Sequence, residues 1–250
     1  GDGYHEEWPT NLCQLFMFTA DSQYGGYPTP SPTGFYTHPP HGDTEVVVSP
    51  LFDSPMQSLR GLNGTFKLQN LDACDWCDEK VELPFPISSF GKMQPVPIGF
   101  LRIGIDGYIE LCSNDGGCIG NVEAVAGDLD SSTNGDVYLR YDFANGTMNS
   151  SVTVSWENVG IYGQPGSFVN AQATLFVNGT VKLCWGTARG SLADIRSNII
   201  NYFERSFPAT GQPFDEYGHF KYWPTNLCQM FMFSVSSSNY TQPPHYSPPT

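Results

Sequence analysis

The sequence is poor in charged residues and has no long apolar run. Charged residues make up 14% of the 250 residues, well below the roughly 25% typical of soluble domains. Lys and Arg number 11 against 25 Asp and Glu, which gives a net charge of −14. Clustered cations are needed to bind a phosphate backbone or an anionic membrane, so we expect no nucleic-acid partner. No apolar run approaches the roughly 20 residues of a spanning helix, so we expect no membrane insertion.

Recognisable catalytic motifs are also missing. The sequence has no nucleophile elbow, zinc-protease helix or phosphate-binding loop. A catalytic base needs a rigid platform, whereas all five histidines lie in terminal or Pro-rich regions, at positions 5, 38, 41, 219 and 245. We therefore expect that the protein is not an enzyme.

The composition favours a mostly β fold. There are 26 glycines and 20 prolines, and aromatic residues reach 14%. Disordered chains have few aromatics, and helical bundles are dominated by Ala, Leu, Glu and Lys. Turns at regular intervals and period-two alternation predict an antiparallel β-sandwich. The predicted strands are 45–48, 64–68, 81–87, 99–105, 107–112, 122–126, 136–143, 152–156, 171–177 and 180–185.

One segment shows helical rather than strand periodicity. Ser191 to Asp194 resembles a capping box with Asp at the third helical position. Apolar residues then follow at helical spacing: Leu192, Ile195, Ile199, Ile200 and Phe203. The pattern predicts one α-helix from about 192 to 204 that packs on the sheet.

The two ends of the sequence repeat. Residues 8–18, WPTNLCQLFMF, recur at 223–233 with one difference, Leu15 to Met230. The repeat is either an internal duplication of one strand or the period of a tandem array, in which the second copy opens the next unit. Each copy is too apolar to be left exposed, so we expect at least one to pair with a sheet edge. The predicted assembly residues are Trp8, Leu12, Phe16, Phe18, Trp223, Leu227, Phe231 and Phe233.

The repeat divides the chain into five parts. We predict an inter-unit strand at 1–19, a Pro-rich linker at 20–44 and a β-sandwich domain at 45–215. The second copy of the inter-unit strand follows at 216–234, and a second Pro-rich linker at 235–250. Such units would join head to tail, a geometry that produces open filaments when it does not close.

The cysteines indicate disulfides. Their number is odd, seven, but counting Cys228 as the next unit's Cys13 leaves an even set. Cys74-x-x-Cys77 is compatible with a redox or zinc motif, yet its acidic neighbours would raise a thiol pKa and no second ligand pair is evident. We expect no metal there. Cys112 and Cys118 flank a flexible loop that a local disulfide would close. The predicted disulfide cysteines are Cys13, Cys74, Cys77, Cys112, Cys118, Cys184 and Cys228.

Five Asn-x-Ser/Thr sequons predict N-glycosylation. Three of them are also Asn-Gly turn signals, which favour exposed loop tips; the alternative is that these pairs serve hairpin turns alone. Together with paired cysteines they indicate a secreted or cell-surface protein. The predicted acceptors are Asn63, Asn145, Asn149, Asn178 and Asn239.

The Pro-rich tracts predict a second class of glycan. Pro alternating with Ser and Thr favours polyproline II and is a common substrate for O-glycosylation. These tracts resemble hydroxyproline-rich cell-wall glycoproteins of algae and plants; the alternative is an unmodified stiff linker. The O-glycosylation or hydroxyproline candidates are Pro28, Thr29, Pro30, Ser31, Pro32, Thr33, Ser247, Pro248 and Pro249.

An acidic loop at 128–136 is a weak calcium candidate. Asp128, Asp130 and Asp136 alternate with other oxygen-bearing side chains, which suits a hard cation. The spacing departs from the EF-hand rule, because Thr133 stands where Gly is required. The favoured interpretation is a solvated hairpin loop without metal, so no cofactor is expected.

A series of motifs over roughly 83–187 resembles the NIDO-type extracellular domain. The series begins with Leu83-Pro84-Phe85-Pro86-Ile87, where the family usually has a second Phe in place of Ile87. It continues with Phe90-Gly91-Lys92, Ile103 to Ile109, Ala126 to Asp130, Gly135 to Tyr138, Val154 to Val159 and Ala173 to Val181. The resemblance implies a structural or adhesive extracellular β domain and brings no catalytic residues.

These observations lead to one functional hypothesis and one alternative. The first is a structural repeat unit of an extracellular glycoprotein filament or cell-surface appendage, whose partners are copies of itself and covalent glycans. The alternative is a carbohydrate- or protein-binding adhesion module. Exposed aromatics beside a calcium loop would favour the module, and aromatics buried at unit junctions would favour the filament.

Overall fold

The computed structural model describes residues 36–37, 44–71, 77–88, 97–132, 135–143, 150–201 and 205–235. The chain divides into two units, Gly1–Pro32 and Thr33–Thr250, and every described residue belongs to the second. In this part of the chain no helix is long and apolar enough to cross a membrane.

The described residues form strands and one 3-10 turn, Gln69–Leu71. In chain order the strands are β1 (Tyr36–Thr37), β2 (Thr44–Val48), β3 (Phe52–Asp53), β4 (Thr65–Lys67), β5 (Asp78–Ile87), β6 (Ile98–Gly104), β7 (Tyr108–Ser113), β8 (Cys118–Ala126), β9 (Leu129–Asp130), β10 (Asp136–Asp142), β11 (Ser151–Ile161), β12 (Phe168–Phe176), β13 (Val181–Arg189), β14 (Arg196–Asn201), β15 (Arg205–Pro208) and β16 (Leu227–Val235).

The strands build two antiparallel sheets. The larger has the order β1-β2-β16-β13-β12-β11-β10-β4, with β3 beside β16 and β9 beside β11. The smaller has the order β15-β14-β8-β7-β6-β5. The mostly β, antiparallel prediction is confirmed, and each of the ten predicted strand segments overlaps an observed strand.

One hydrophobic core joins the two sheets. Val152, Val154 and Trp156 alternate along β11 with Ser and Thr, and all three are fully buried. The Trp156 indole Nε1 donates to the Gly104 carbonyl on the smaller sheet at 3.0 Å. The Trp185 Nε1 donates to the Ala124 carbonyl at 2.9 Å. The core therefore includes hydrogen-bonded contacts between the sheets as well as apolar packing.

The predicted helix at about 192–204 is wrong. Residues 196–201 form β14, which pairs with β8 on one side and β15 on the other. Ile195, Ser197 and Ile199 are all buried, which is a period of two. A spacing of four between Ile195 and Ile199 fits both periods, and the inward-facing Ser197 hides the strand pattern. Its hydroxyl is satisfied by the Glu123 carbonyl at 3.2 Å.

Candidate functional site

The second copy of the repeated segment lies inside the larger sheet. Strand β16 pairs with β13 along one side and with β2 and β3 along the other. The segment is therefore paired on both sides, whereas the sequence suggested pairing at one sheet edge. We call the position between β13 and the β2–β3 edge the strand slot.

Two phenylalanines and a disulfide fix the register of β16 in the strand slot. Phe231 is fully buried in the core. Phe233 packs edge-on against Phe207, with ring centroids 5.7 Å apart. Cys228 lies opposite Cys184 in the register and is bonded to it. A shift of one residue would turn Phe231 outward and separate the two sulfurs.

The residues before β16 are also fixed by specific contacts. The Trp223 Nε1 donates to the Gly186 carbonyl at 2.8 Å, and its ring lies 4.9 Å from that of Phe220. Asn226 has φ of 59°, a left-handed conformation that Asn tolerates better than most residues. Its backbone N–H donates to the Trp185 carbonyl at 2.7 Å.

Gln229 is the polar residue of β16 that is turned toward the interior. It is 1% exposed. Its Nε2 donates to the Ser49 carbonyl at 2.9 Å and to the Thr210 carbonyl at 3.1 Å. Its Oε1 accepts from the Thr210 N–H at 3.0 Å. One buried amide thus joins three segments, so an apolar residue would leave several polar groups unsatisfied.

The two copies are identical where the second copy makes these contacts. The residues corresponding to Trp223, Asn226, Cys228, Gln229 and Phe231 in the first copy have the same identities. The one difference falls at Met230, which is half-buried. The predicted assembly residues of the first copy lie outside the described residues: Trp8, Leu12, Phe16 and Phe18.

The other cysteines follow the disulfide prediction as far as they are described. Cys112 and Cys118 are bonded and close the loop between β7 and β8. Cys77 is also disulfide-bonded, while Cys13 and Cys74 lie outside the described residues. Glu110, Cys112 and Cys118 come within ligating distance of one another, but the disulfide occupies both sulfurs and removes them as metal ligands.

The calcium candidates do not converge in the described part of the chain. Asp128, Asp130 and Asp136 are not among the groups within ligating distance of one another. Asp136 instead pairs with Lys67 at 2.6 Å and Arg60 at 3.0 Å. Burial alone would raise the pKa of Asp136, but hydrogen bonds from Lys67 and Tyr138 and nearby positive charge outweigh it and lower that pKa.

The chain connections bring two of the predicted N-glycan acceptors, Asn63 and Asn178, to one end of the larger sheet. Because its neighbouring strands are antiparallel, β4, β11 and β13 begin where β10, β12 and β16 end. We call this the sequon end. Asn63 precedes β4, Asn178 joins β12 to β13, and both are exposed in turns. Asn145 and Asn149 fall in the segment between β10 and β11 and Asn239 follows β16 in sequence; these three lie outside the described residues.

The candidates for O-linked sugars lie outside the described residues. They are Pro28, Thr29, Pro30, Ser31, Pro32, Thr33, Ser247, Pro248 and Pro249.

The structure shows an aromatic cluster that the sequence did not single out. Phe66, Phe85, Tyr141 and Phe143 make four ring contacts with centroids 5.7 to 6.4 Å apart. Three of the four, Phe66, Tyr141 and Phe143, border an open cavity of about 540 Å³. Phe143 is 69% exposed. Burial raises the pKa of Tyr141, whose hydroxyl donates to the Glu82 carbonyl at 3.0 Å. The period-two spacing of Tyr141 and Phe143 in the sequence indicates that both rings lie on one face of a strand. The sequence does not reveal that β10 pairs with β4, which brings Phe66 beside them.

Comparisons with known proteins give no relative. No protein-family model matches the chain, and neither a curated protein nor a solved structure is significantly similar to it.

Proposed function

We propose that the chain is a structural repeat unit of an extracellular glycoprotein filament or cell-surface appendage, and not an enzyme. The repeated terminal segment of one unit fills the strand slot of its neighbour, and copies of the unit join head to tail. The domain is an antiparallel β-sandwich, in the manner of the NIDO-type domains that residues 83–187 resemble.

The observation that carries the proposal is the place of the second copy. A segment that also stands at the start of the chain supplies an interior strand, a buried polar contact and a disulfide to this domain. Adding a strand to a sheet gives affinity through backbone hydrogen bonds and specificity through alternate side chains. Because the first copy has the same residues at each of those contacts, it fits the same slot in another unit.

The chemistry of the chain supports an extracellular location. Disulfides persist in oxidising compartments, and Cys112–Cys118 and Cys184–Cys228 are both bonded. Asn63 and Asn178 are exposed, which leaves both open to a glycosyltransferase. We propose N-glycans at the sequon end and O-linked sugars on the Pro-rich tracts.

Reciprocal variants of the full chain test the assembly. In C228S/F231A the second copy loses its disulfide and its core anchor, so the first copy of another molecule should take the slot. We expect oligomers on non-reducing gels, linked through Cys13–Cys184 peptides in the mass map. Electron microscopy of that fraction should show filaments.

The matched control carries the same changes in the first copy, C13S/F16A. Its own second copy still fills the slot, so this variant should stay monomeric. A quadruple variant should form no Cys13–Cys184 bond. Equal behaviour of the two double variants, or oligomers linked through other cysteines, would reject exchange through the repeated strand.

The aromatic cluster favours the second candidate function, an adhesion module. Exposed rings beside an open cavity suit the apolar face of a sugar or a protein side chain. Loss of binding to immobilised carbohydrate or protein in F143A, with the Y222A variant at another exposed ring as control, would support this function. Single particles in the microscope would favour it over the filament.

A further inference from the structure

We propose that Phe176 is a docking surface for the first sugar of an N-glycan on Asn178. The inference rests on the N-glycosylation part of the proposed function and goes beyond it. It assigns a role to an aromatic residue outside the core, and it makes the glycan a part of the folded structure.

The turn between β12 and β13 has a defined hydrogen-bond pattern. The Gly179 N–H donates to the Phe176 carbonyl at 2.9 Å, and the Phe176 N–H donates to the Thr180 carbonyl at 2.9 Å. Gly179 has φ of 84°, the left-handed conformation of a glycine bulge that follows a turn. Phe176 and Thr180 therefore face each other across the hairpin.

Side-chain alternation puts Phe176 and Thr180 on the outward face. Leu175 and Val181 are paired in register and are fully buried in the core. Because successive side chains of a strand point to opposite faces, Phe176 and Thr180 point away from the core. Phe176 is only half-buried. Its neighbour in register on β11 is Ser151, so an aromatic ring stands here among small polar residues.

The turn also orients the Asn178 amide. The Thr180 N–H donates to Asn178 Oδ1 at 3.0 Å, which holds the amide oxygen toward the backbone. The nitrogen, to which a glycan is attached, has no hydrogen-bond partner among the described residues. Asn178 is exposed. The acceptor nitrogen is thus directed away from the backbone at the tip of the hairpin.

The chemistry of the first sugar fits the ring. One face of N-acetylglucosamine presents C–H groups. An aromatic ring offers a large apolar face that carries partial negative charge, which attracts such groups. Asn178 follows the outward Phe176 by two residues, and the turn brings Thr180 opposite that Phe. A sugar on Asn178 therefore lies beside the Phe176 ring. The sequence has the same order of residues a second time, in Phe143-Ala144-Asn145-Gly146-Thr147.

The full chain, secreted from a eukaryotic host, provides the test. Unfolding is measured for the glycosylated protein, for protein trimmed to the first sugar, and for protein treated with an N-glycan amidase. We expect amidase treatment to raise the unfolding equilibrium constant of the native sequence about fivefold, the size of one aromatic contact. Trimming to the first sugar should cause no such rise.

The variant F176V removes the ring, and F168V makes the same change at the other end of β12. The amidase removes the N-glycans at the other sites from every variant alike. A difference between variants in the effect of amidase treatment therefore reports the Asn178 glycan. The fivefold effect should vanish in F176V and persist in F168V. An equal effect in both rejects the docking surface and leaves N-glycosylation standing. Mass spectrometry that finds Asn178 unmodified rejects the docking surface and N-glycosylation at this site together.

Discussion

Replacing Gln229 with Ala should destabilise the protein more than any comparable change of a glutamine on the outer face. The side chain makes four hydrogen bonds, to Ser49 O and to the Thr210 N, O and Oγ1 atoms, at 2.9 to 3.2 Å. A typical intramolecular hydrogen bond contributes about 1 kcal/mol net. The two hydrogens on Gln229 Nε2 serve three of these acceptors, so we count three full hydrogen bonds. We therefore expect a loss of about 3 kcal/mol in the free energy of unfolding.

The assay is urea unfolding of the oxidised full chain, followed by tryptophan fluorescence. The free energy is obtained by linear extrapolation, and an unchanged slope shows that the loss is one of stability. The Cys184–Cys228 bond must stay intact, because its reduction would release β16 by another route.

The matched control is Gln172→Ala on β12. Gln172 is 9% exposed and makes one hydrogen bond, from Nε2 to the Gln57 carbonyl at 3.1 Å. We expect a loss of about 1 kcal/mol for this change. Equal losses for the two glutamines would refute the assignment of Gln229 as the polar anchor of the strand slot.

Two acidic residues give further predictions. The variant D136N should lose about 0.5–1 kcal/mol at neutral pH. The folded pKa of Asp136 lies below its ordinary 3.8, so its stabilisation is present above pH 3.8 and is lost as the pH falls through the lower folded pKa. In thermal unfolding from pH 7 to pH 2, the stabilities of the native sequence and D136N should therefore converge. A constant difference between them would contradict this. Glu157 is buried and accepts from Ser58 Oγ and the Leu59 N–H, both at 2.6 Å, and from Ser155 Oγ at 3.0 Å. The variant E157Q should lose about 2 kcal/mol at pH 7, measured by urea unfolding, and a loss below that of D136N would contradict it.

The sequence predicted the strands better than their arrangement. Along β10 to β13 one face is apolar and the other polar, so alternation alone marks the strands. Alternation does not mark β14, because the inward Ser197 interrupts the apolar pattern and leaves two isoleucines at a spacing that fits both a helix and a strand. Its strand state is stabilised by pairing with β8 and β15, which are distant in sequence.

The candidate sites divide in the same way. Local features were predictable, such as the Asn178-Gly179 turn and the Cys112–Cys118 loop, because the chemistry lies within a few residues. The Cys184–Cys228 pairing and the aromatic cluster depend on which strands are neighbours. The repeat showed that 223–233 matters, but its place between β13 and β2 follows from the sheet order, which alternation does not encode.

The direction of β16 has a mechanical consequence for an array built as proposed. Tension between units would act on β16 through the chain that follows Val235 and would pull the strand along its own axis. The hydrogen bonds that join β16 to β13 and β2 run perpendicular to that axis, so a pull loads them in shear and they share the force. Five residue pairs on the β13 side and five on the β2 side resist together. The Cys184–Cys228 bond joins β16 to β13 at the far end, so the strand cannot slide out until a covalent bond is cut.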